Sequence, residues 1–310
     1  MANGSQSQAV AVPVAASLSI IVPAHNEEQG IGAVVDGLAR PPTAAALGEA
    51  QVIVVDDGST DGTRSALAQA NANGVTVLCH DVRRGYGAAL KTGILATEAD
   101  LVCITDADGT YPNERIADLC RRLRDENLDM VVGARTGATV KIPLVRKPAK
   151  WFLNRMVNFI ARQRVPDVNS GLRVFRRDVV LRFLPILPDG FSFTTTITLA
   201  MLVNGYRVAY EPIDYHARVG RSKISPIRDT LRFLRLVVMM GLYFAPLRVF
   251  MPFAGLLFLA ALLWGAFSLV FLGQLADVST LVIVMTSIQV ASVGLLAELI
   301  NRRVENHLER

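Results

Sequence analysis

Asp106 and Asp108 stand two residues apart at the end of the apolar run Leu101-Val102-Cys103-Ile104-Thr105. On extended chain, residues i and i+2 point the same way, so the two carboxylates can hold one divalent ion. A second run, Val52-Ile53-Val54-Val55, ends as abruptly in Asp56 and Asp57, followed by Gly58-Ser59-Thr60-Asp61. Hard oxygen donors suit Mg2+ or Mn2+, which would bridge the protein to a diphosphate and neutralise a leaving charge. A third acidic tip, Pro23-Ala24-His25-Asn26-Glu27-Glu28, follows the β-rich run Ser17 to Val22. First-turn acids favouring a helix start would explain Glu27 and Glu28, but not the matching tip at Asp56 and Asp57. Together these tips can offer carboxylates to the base and ribose hydroxyls of a nucleoside.

The stretch Arg84-Gly85-Tyr86-Gly87-Ala88-Ala89-Leu90-Lys91-Thr92-Gly93 adds glycines, a Lys and a Thr. It is not a P-loop, because no Gly directly precedes Lys91. Nor is it a dinucleotide fingerprint, since Leu90 occupies the third glycine position. A Gly-rich turn opening a helix can still bring backbone N–H groups to a diphosphate.

Unbroken aliphatic runs read as strands buried on both faces of a parallel sheet. Ligands bind such sheets beyond the carboxyl ends of the strands, where these acids stand. Strands are expected at 17–22, 52–55, 75–78, 101–105, 130–132 and 208–212, with helices over 27–39, 62–72, 88–97 and 113–124. Ser59, Thr60 and Asp61 are cap candidates for the second helix. This alternation implies a mostly parallel, helix-covered sheet. The segment 136–166 lacks the rhythm. It is basic and amphipathic, with Lys141, Arg146, Lys147, Lys150 and Arg155 beside Trp151, Phe152 and Phe159, and reads as a loop plus a helix on a membrane surface. A core helix is the competing reading.

With 310 residues, 51% hydrophobic, and a mean hydropathy of +0.36, the chain is apolar for a soluble protein. The excess lies near its end: Val249 to Leu272 and Leu281 to Leu296 hold no charged residue. Each is near the roughly 20 residues needed to cross a bilayer, and a transmembrane hairpin is expected, against a pair of buried core helices. Arg248 precedes the first span, Arg302, Arg303 and Arg310 follow the second, and the link has only Asp277. Positive-inside logic places both ends in the cytoplasm. Residues 1–16 carry no basic n-region and read as a disordered lead-in. Cys79, Cys103 and Cys120 share no metal-ligand spacing, and the four histidines are scattered, so zinc is not expected. The net charge of +5 is uneven, and a second basic set, Arg218, Arg221, Lys223, Arg228, Arg232 and Arg235, leads into the hairpin. Beside apolar spans such clusters fit anionic headgroups or a phosphorylated lipid rather than nucleic acid.

Pro23 to Glu28, Val54 to Thr63, Arg84 to Gly93 and Asp106 to Pro112, in this order and spacing, resemble glycosyltransferase family 2 over roughly residues 17–225. Asp167-Val168-Asn169-Ser170-Gly171-Leu172-Arg173 looks like the Ser-Gly-Phe-Arg segment of the dolichol-phosphate mannosyltransferase and polyprenyl-phosphate glucosyltransferase branch, with Leu172 in place of the aromatic. Arg218-Val219-Gly220-Arg221-Ser222-Lys223 resembles that branch's Arg-x-Gly-x-Ser-Lys element.

The resemblance implies an α/β GT-A domain, Rossmann-like with a mostly parallel sheet, over 17–225. An amphipathic juxtamembrane region over 226–247 and a hairpin over 248–310, with spans near 249–272 and 280–300, would follow. It further implies an inverting transfer of a hexose from a nucleotide sugar to a polyprenyl phosphate, with Mg2+ or Mn2+ at Asp106 and Asp108. Pro23, Ala24, Asn26, Glu27, Asp56, Asp57, Lys91, Asp106 and Ala107 would bind the nucleotide sugar. Arg135, Ser170, Arg173, Arg218, Ser222 and Lys223 would surround the phosphates, and Asp108, Arg135, Arg218 and Lys223 would carry catalysis. Two other readings compete: a glycan or lipid-headgroup acceptor, and a catalytically silent anchor that binds nucleotide sugar. Side-by-side hairpins would also allow a homo-oligomer.

Overall fold

The computed structural model describes residues 17–39, 50–71, 75–136, 155–215, 241–243, 245–273 and 276–308, with positions 47, 235, 238 and 239 between them. Seven strands among them form one sheet: β1 (Leu18–Ala24), β2 (Gln51–Asp57), β3 (Thr76–His80), β4 (Leu101–Ile104), β5 (Met130–Ala134), β6 (Arg173–Arg176) and β7 (Val208–Pro212). Their order is β3-β2-β1-β4-β6-β5-β7. β1 pairs in parallel with β2 and β4, β2 with β3, and β5 with β7. The expected parallel sheet needs one correction. β6 runs antiparallel to both β4 and β5.

Alternation along each strand divides the apolar side chains between two faces. Ile20, Val22, Val54 and Cys103 pack against α1 (Ile31–Ala39) and, after α2 (Thr63–Asn71) and α3 (Tyr86–Leu95), α4 (Ile116–Asp125). Ile21, Ile53, Val55, Val102 and Ile104 face α3, α5 (Arg177–Phe183) and α6 (Phe193–Val203). Each fully buried Val or Ile contributes about 1.5–3 kcal/mol, so β1, β2 and β4 are firmly held in the sheet. The order of strand addition reverses at β1, which has β2 and β3 on one side and β4 on the other, all parallel to it. The carboxyl ends of β1, β2 and β4 therefore open on a topological switch point.

Several boundaries move from their sequence expectation. The first helix begins at Ile31 rather than residue 27, leaving His25 to Gly30 as a loop, and α3 starts earlier, at Tyr86. Residues 113–115 form a separate 3-10 turn before α4. Residues 155–161 are helical, as expected for part of the segment 136–166. Its Val157, Ile160 and Ala161, however, pack with Leu199 and Leu202 of α6. For these residues the surface-helix reading gives way to a core contact, while Phe159 stays 53% exposed.

The C-terminal helices are α7 (Pro246–Phe271) and α8 (Asp277–Leu308). Both have apolar windows long enough to span a bilayer, and most of each window is exposed, which removes the reading as buried core helices. They meet along a seam of small residues. Ala254, Ala261, Gly265 and Ser268 are buried on α7, Ser287 Oγ donates to Ala254 O at 3.0 Å, and Ser268 Oγ accepts from Ala276 N at 3.0 Å. Small side chains let the backbones approach, which is how apolar helices associate without a hydrophobic driving force between them.

Candidate active site

The loop after β1 is fastened to the loop after β2. Asn26, at φ 55°, accepts Thr60 N–H on Oδ1 at 2.8 Å and donates its own N–H to Ser59 Oγ at 3.0 Å. Glu27 N–H reaches Thr63 Oγ1 at 2.9 Å, and Glu28 Oε2 takes Gly62 N–H at 2.8 Å. Asn tolerates the left-handed conformation because its short amide can bond locally. The expected nucleoside tips of Glu27 and Asp56–Asp57 thus form one wall, with Pro23 and Ala24 buried at its base.

Asp56 and Asp57 point inward. Asp56 is fully buried, with Oδ2 on Arg64 Nε at 2.7 Å and Oδ1 on Ser59 N–H at 3.1 Å. Asp57, 3% exposed, accepts from His80 Nδ1 and Arg84 N–H on Oδ1 and from Gly85 N–H on Oδ2, each at 2.8 Å. Burial alone would raise the Asp57 pKa. The His80 ring and the two amides outweigh it, and the carboxyl is held below the usual range. Both carboxylates thus accept from protein donors that shape the wall.

The Gly-rich turn is closely packed. Gly85 has φ 115°, and a Cβ on Gly87 would lie 2.1 Å from Pro188 O. What approaches this turn closely is the protein's own segment 188–191. Ala88 N–H donates to Asp189 O at 3.1 Å, and Lys91 Nζ pairs with Asp189 Oδ1 at 2.7 Å. Tyr86 stacks on Phe191 with centroids 5.3 Å apart.

Asp106 and Asp108 remain half-buried at the end of β4, with Ala107 buried between them. Tyr86 Oη donates to Asp106 Oδ1 at 2.9 Å. Asp108 Oδ1 accepts from Thr110 N–H at 3.1 Å and Thr110 Oγ1 at 2.7 Å. Gly171 presses against the pair: a Cβ there would lie 2.7 Å from Asp106 Oδ2. Its N–H donates to Tyr111 Oη at 2.6 Å. Among the described residues no group of three or more His, Cys, Asp or Glu gathers. The hard carboxylates of Asp106 and Asp108 suit Mg2+ or Mn2+, which keep waters and take substrate phosphates.

Three expected phosphate ligands have protein partners. Arg135 forks onto Asp167, with Nε–Oδ2 at 2.7 Å and Nη2–Oδ1 at 3.0 Å, and lies 5.5 Å from the Tyr215 ring centre. Burial raises the Asp167 pKa, but the Arg135 pair outweighs it and the net shift is downward. Ser170 Oγ donates to Gly133 O at 2.5 Å. Arg173 is fully buried, with donors on Ser170 O, Thr194 O at 2.9 Å and Thr198 Oγ1 at 2.8 Å. It clamps the 170–172 turn, whose Gly171 packs against Asp106. Arg218, Ser222 and Lys223 lie outside the described residues. Sequence reasoning passed over Tyr86, His80 and Asp167 as site residues. Tyr86 and Asp167 stand inside motifs it had already marked, and a polar aromatic in a glycine turn was the available signal.

Residues 19–183 match Glycosyl transferase family 2, and residues 245–302 match the GtrB C-terminal hairpin. The chain belongs to glycosyl transferase family 2. This glycosyltransferase is 30% identical to a dolichyl-phosphate hexose transferase of Haloferax volcanii over 210 residues, 67% of this chain and 87% of that protein. It is 26% identical to a dodecaprenyl-phosphate galacturonate synthase of Rhizobium johnstonii, over 92% of this chain and 88% of that protein. Among solved structures, glucosyl-3-phosphoglycerate synthase from Mycobacterium tuberculosis, in complex with Mn2+, UDP and phosphoglyceric acid, aligns with a TM-score of 0.55 at 22% identity, covering 73% of this chain and 78% of that one. That likeness is one of fold. The family 2 glycosyltransferase has a GT-A-like domain with a mixed sheet, followed by an apolar membrane-anchoring hairpin.

Proposed function

We propose that this glycosyltransferase moves a hexose from a nucleotide sugar to a polyprenyl phosphate at the cytoplasmic face of a membrane. One observation carries the reading: Asp106 and Asp108 stand at the switch point of a sheet whose chain continues into two apolar helices, Pro246–Phe271 and Asp277–Ile300. The names of the two relatives support a lipid-phosphate acceptor. Arg248 before the first span and Arg302 and Arg303 after the second support a cytoplasmic catalytic domain.

In this mechanism an acceptor phosphate oxygen attacks the anomeric carbon from behind. The bond from that carbon to the donor diphosphate breaks, and the nucleoside diphosphate leaves with the electron pair, inverting the centre. A phosphate monoester is already anionic near neutral pH, so no side chain need remove a proton. The protein's task is alignment and charge neutralisation. Asp106 and Asp108 would hold Mg2+ or Mn2+, with Tyr86 fixing Asp106 and Thr110 fixing Asp108. Such an ion supplies positive charge to the diphosphate. The wall from Asn26 to Thr63 would enclose the nucleoside, and Arg218, Ser222 and Lys223 would meet the acceptor phosphate.

Purified full-length protein should be offered UDP- and GDP-hexoses with polyprenyl phosphate and Mn2+ or Mg2+, with the lipid product weighed by mass spectrometry. A product heavier by one hexose, found with one nucleotide class, is expected. Transfer to soluble glycans in preference to any prenyl phosphate would sink the acceptor assignment.

A further inference from the structure

Where the catalytic domain meets α7 lies a cavity of about 810 Å³ that the reaction described above does not use. Three of its lining residues are cations: Arg162, Arg164 and Arg248. Three others are apolar: Phe159, Met251 and Pro252. None belongs to the basic clusters marked in the sequence around 141–155 and 218–235, apart from their shared sign. Arg248 is fastened by a hydrogen bond from Nη1 to Ile160 O, so α7 and the 155–161 helix hold the cavity between them. Arg162 closes that helix at φ 55°, a left-handed conformation uncommon for a residue with a Cβ. Arg162 and Arg164 stay exposed, while Glu298 of α8 lies within electrostatic reach of Arg248.

Position decides what such a cavity suits. Arg248 is in the first turn of α7, and Met251 and Pro252 stand one turn further into the span. If α7 spans a bilayer, the arginines lie at headgroup level and the apolar residues at the top of the hydrocarbon. Guanidinium groups fork onto phosphate oxygens, and phospholipid phosphates lie at that level. The apolar half has no use for a free inorganic ion. Phe159 and Met251 are 53% and 48% exposed, surface that an acyl chain would cover.

We propose that this cavity binds the anionic headgroup of a membrane phospholipid, with its phosphate on Arg162, Arg164 and Arg248 and its upper acyl chain on Phe159, Met251 and Pro252. The site is separate from Asp106 and Asp108 and requires only that α7 be a membrane span, whatever the acceptor. Bound lipid would fix the catalytic domain's height and tilt on the bilayer.

Full-length protein in a neutral detergent would be titrated with phosphatidylglycerol and, separately, phosphatidylcholine, and bound lipid counted by native mass spectrometry. Phosphatidylglycerol should bind and phosphatidylcholine should not. Arg162→Gln/Arg164→Gln should weaken phosphatidylglycerol by roughly twenty-five-fold, at about fivefold per cation lost. Arg162→Lys/Arg164→Lys should recover most of that loss. Arg121→Gln/Arg207→Gln, which lowers the charge equally at exposed positions off the cavity, should leave lipid binding unchanged. Melting temperature is read alongside, to show that each variant is folded. Unchanged phosphatidylglycerol binding in a folded Arg162→Gln/Arg164→Gln protein would overturn the proposal. So would displacement of the lipid by inorganic phosphate, which would make this an ion site. One-for-one displacement by a prenyl phosphate would also overturn it and give the cavity to the acceptor instead.

Discussion

The phenol of Tyr86 donates to Asp106 Oδ1 at 2.9 Å while its ring stacks on Phe191, so one side chain ties the Gly-rich turn to the end of β4. Burial, and then the Asp106 charge, push the Tyr86 pKa well above its usual value, so the proton stays on the phenol. Tyr86→Phe keeps the stack and removes only the donor. Mn2+ affinity, read by electron paramagnetic resonance, should fall by about tenfold, the lower end of outer-shell effects on metal sites. Stability should fall by only about 1 kcal/mol. Unchanged Mn2+ affinity would take Tyr86 out of the site.

Asp108→Asn tests the metal pair. Asn keeps Oδ1 for the Thr110 contacts at 3.1 and 2.7 Å but loses the charge. Turnover should vanish while the melting temperature stays near that of the wild type. Full activity in EDTA, with metal shown to be absent, would disprove the assignment.

Asp57 makes stability depend on pH in acid. Its folded pKa is depressed, so its contribution is present above the unfolded value of about 3.9 and is lost as pH falls through the folded one. Asp57→Asn should cost about 2–4 kcal/mol near neutrality, because His80 and two amides lose a charged acceptor. In urea unfolding series, the gap between wild type and variant should narrow below about pH 3.9. A gap that is constant across pH would show that the charge contributes nothing.

The acidic tips of β2 and β4 were legible because each ends an unbroken apolar run, a pattern that fixes strand, burial and chain end together. β6 was not, since Arg173-Val174-Phe175-Arg176 is short and carries an Arg at each end. Helix α6 was hidden by its buried threonines, Thr194, Thr195, Thr196 and Thr198, whose hydroxyls do not read as core. The partners that stayed hidden share one physical cause. Arg135, Asp57 and Arg173 were marked as polar groups near a ligand, but a linear reading cannot see Asp167, His80 or the Thr194 carbonyl close on them from distant segments. Residue type told which groups were expensive to bury, and only the fold told which already had partners.

Arg173→Met separates the two roles open to that residue. If the guanidinium clamps the 170–172 turn, its loss strands the Ser170 and Thr194 carbonyls, at about 1–3 kcal/mol for each buried acceptor. Urea unfolding should show that loss, and Arg173→Lys should restore only part of it, because one ammonium cannot fork to both carbonyls. A stable Arg173→Met protein with weakened donor binding would return Arg173 to the phosphates.

The hairpin seam offers a way to disturb the membrane part without touching the sheet. A Cβ on Gly294 would lie 2.6 Å from Phe250 Cβ, a fixed atom rather than the end of a flexible chain. Gly294→Leu should therefore push α7 and α8 apart. Donor binding, measured by calorimetry, should be unchanged, because the walls around Asn26 and Asp57 belong to the sheet. Transfer to polyprenyl phosphate in bilayers should drop, because acceptor and site are no longer held at matched height and the advantage of confinement falls. A short, water-soluble prenyl phosphate reaches the site from bulk solution, so its rate should be nearly that of the wild type. Equal loss on both acceptors would mean that the variant disturbs the catalytic domain itself. Equal rates on bilayer lipid would mean that the hairpin anchors the enzyme without presenting its acceptor.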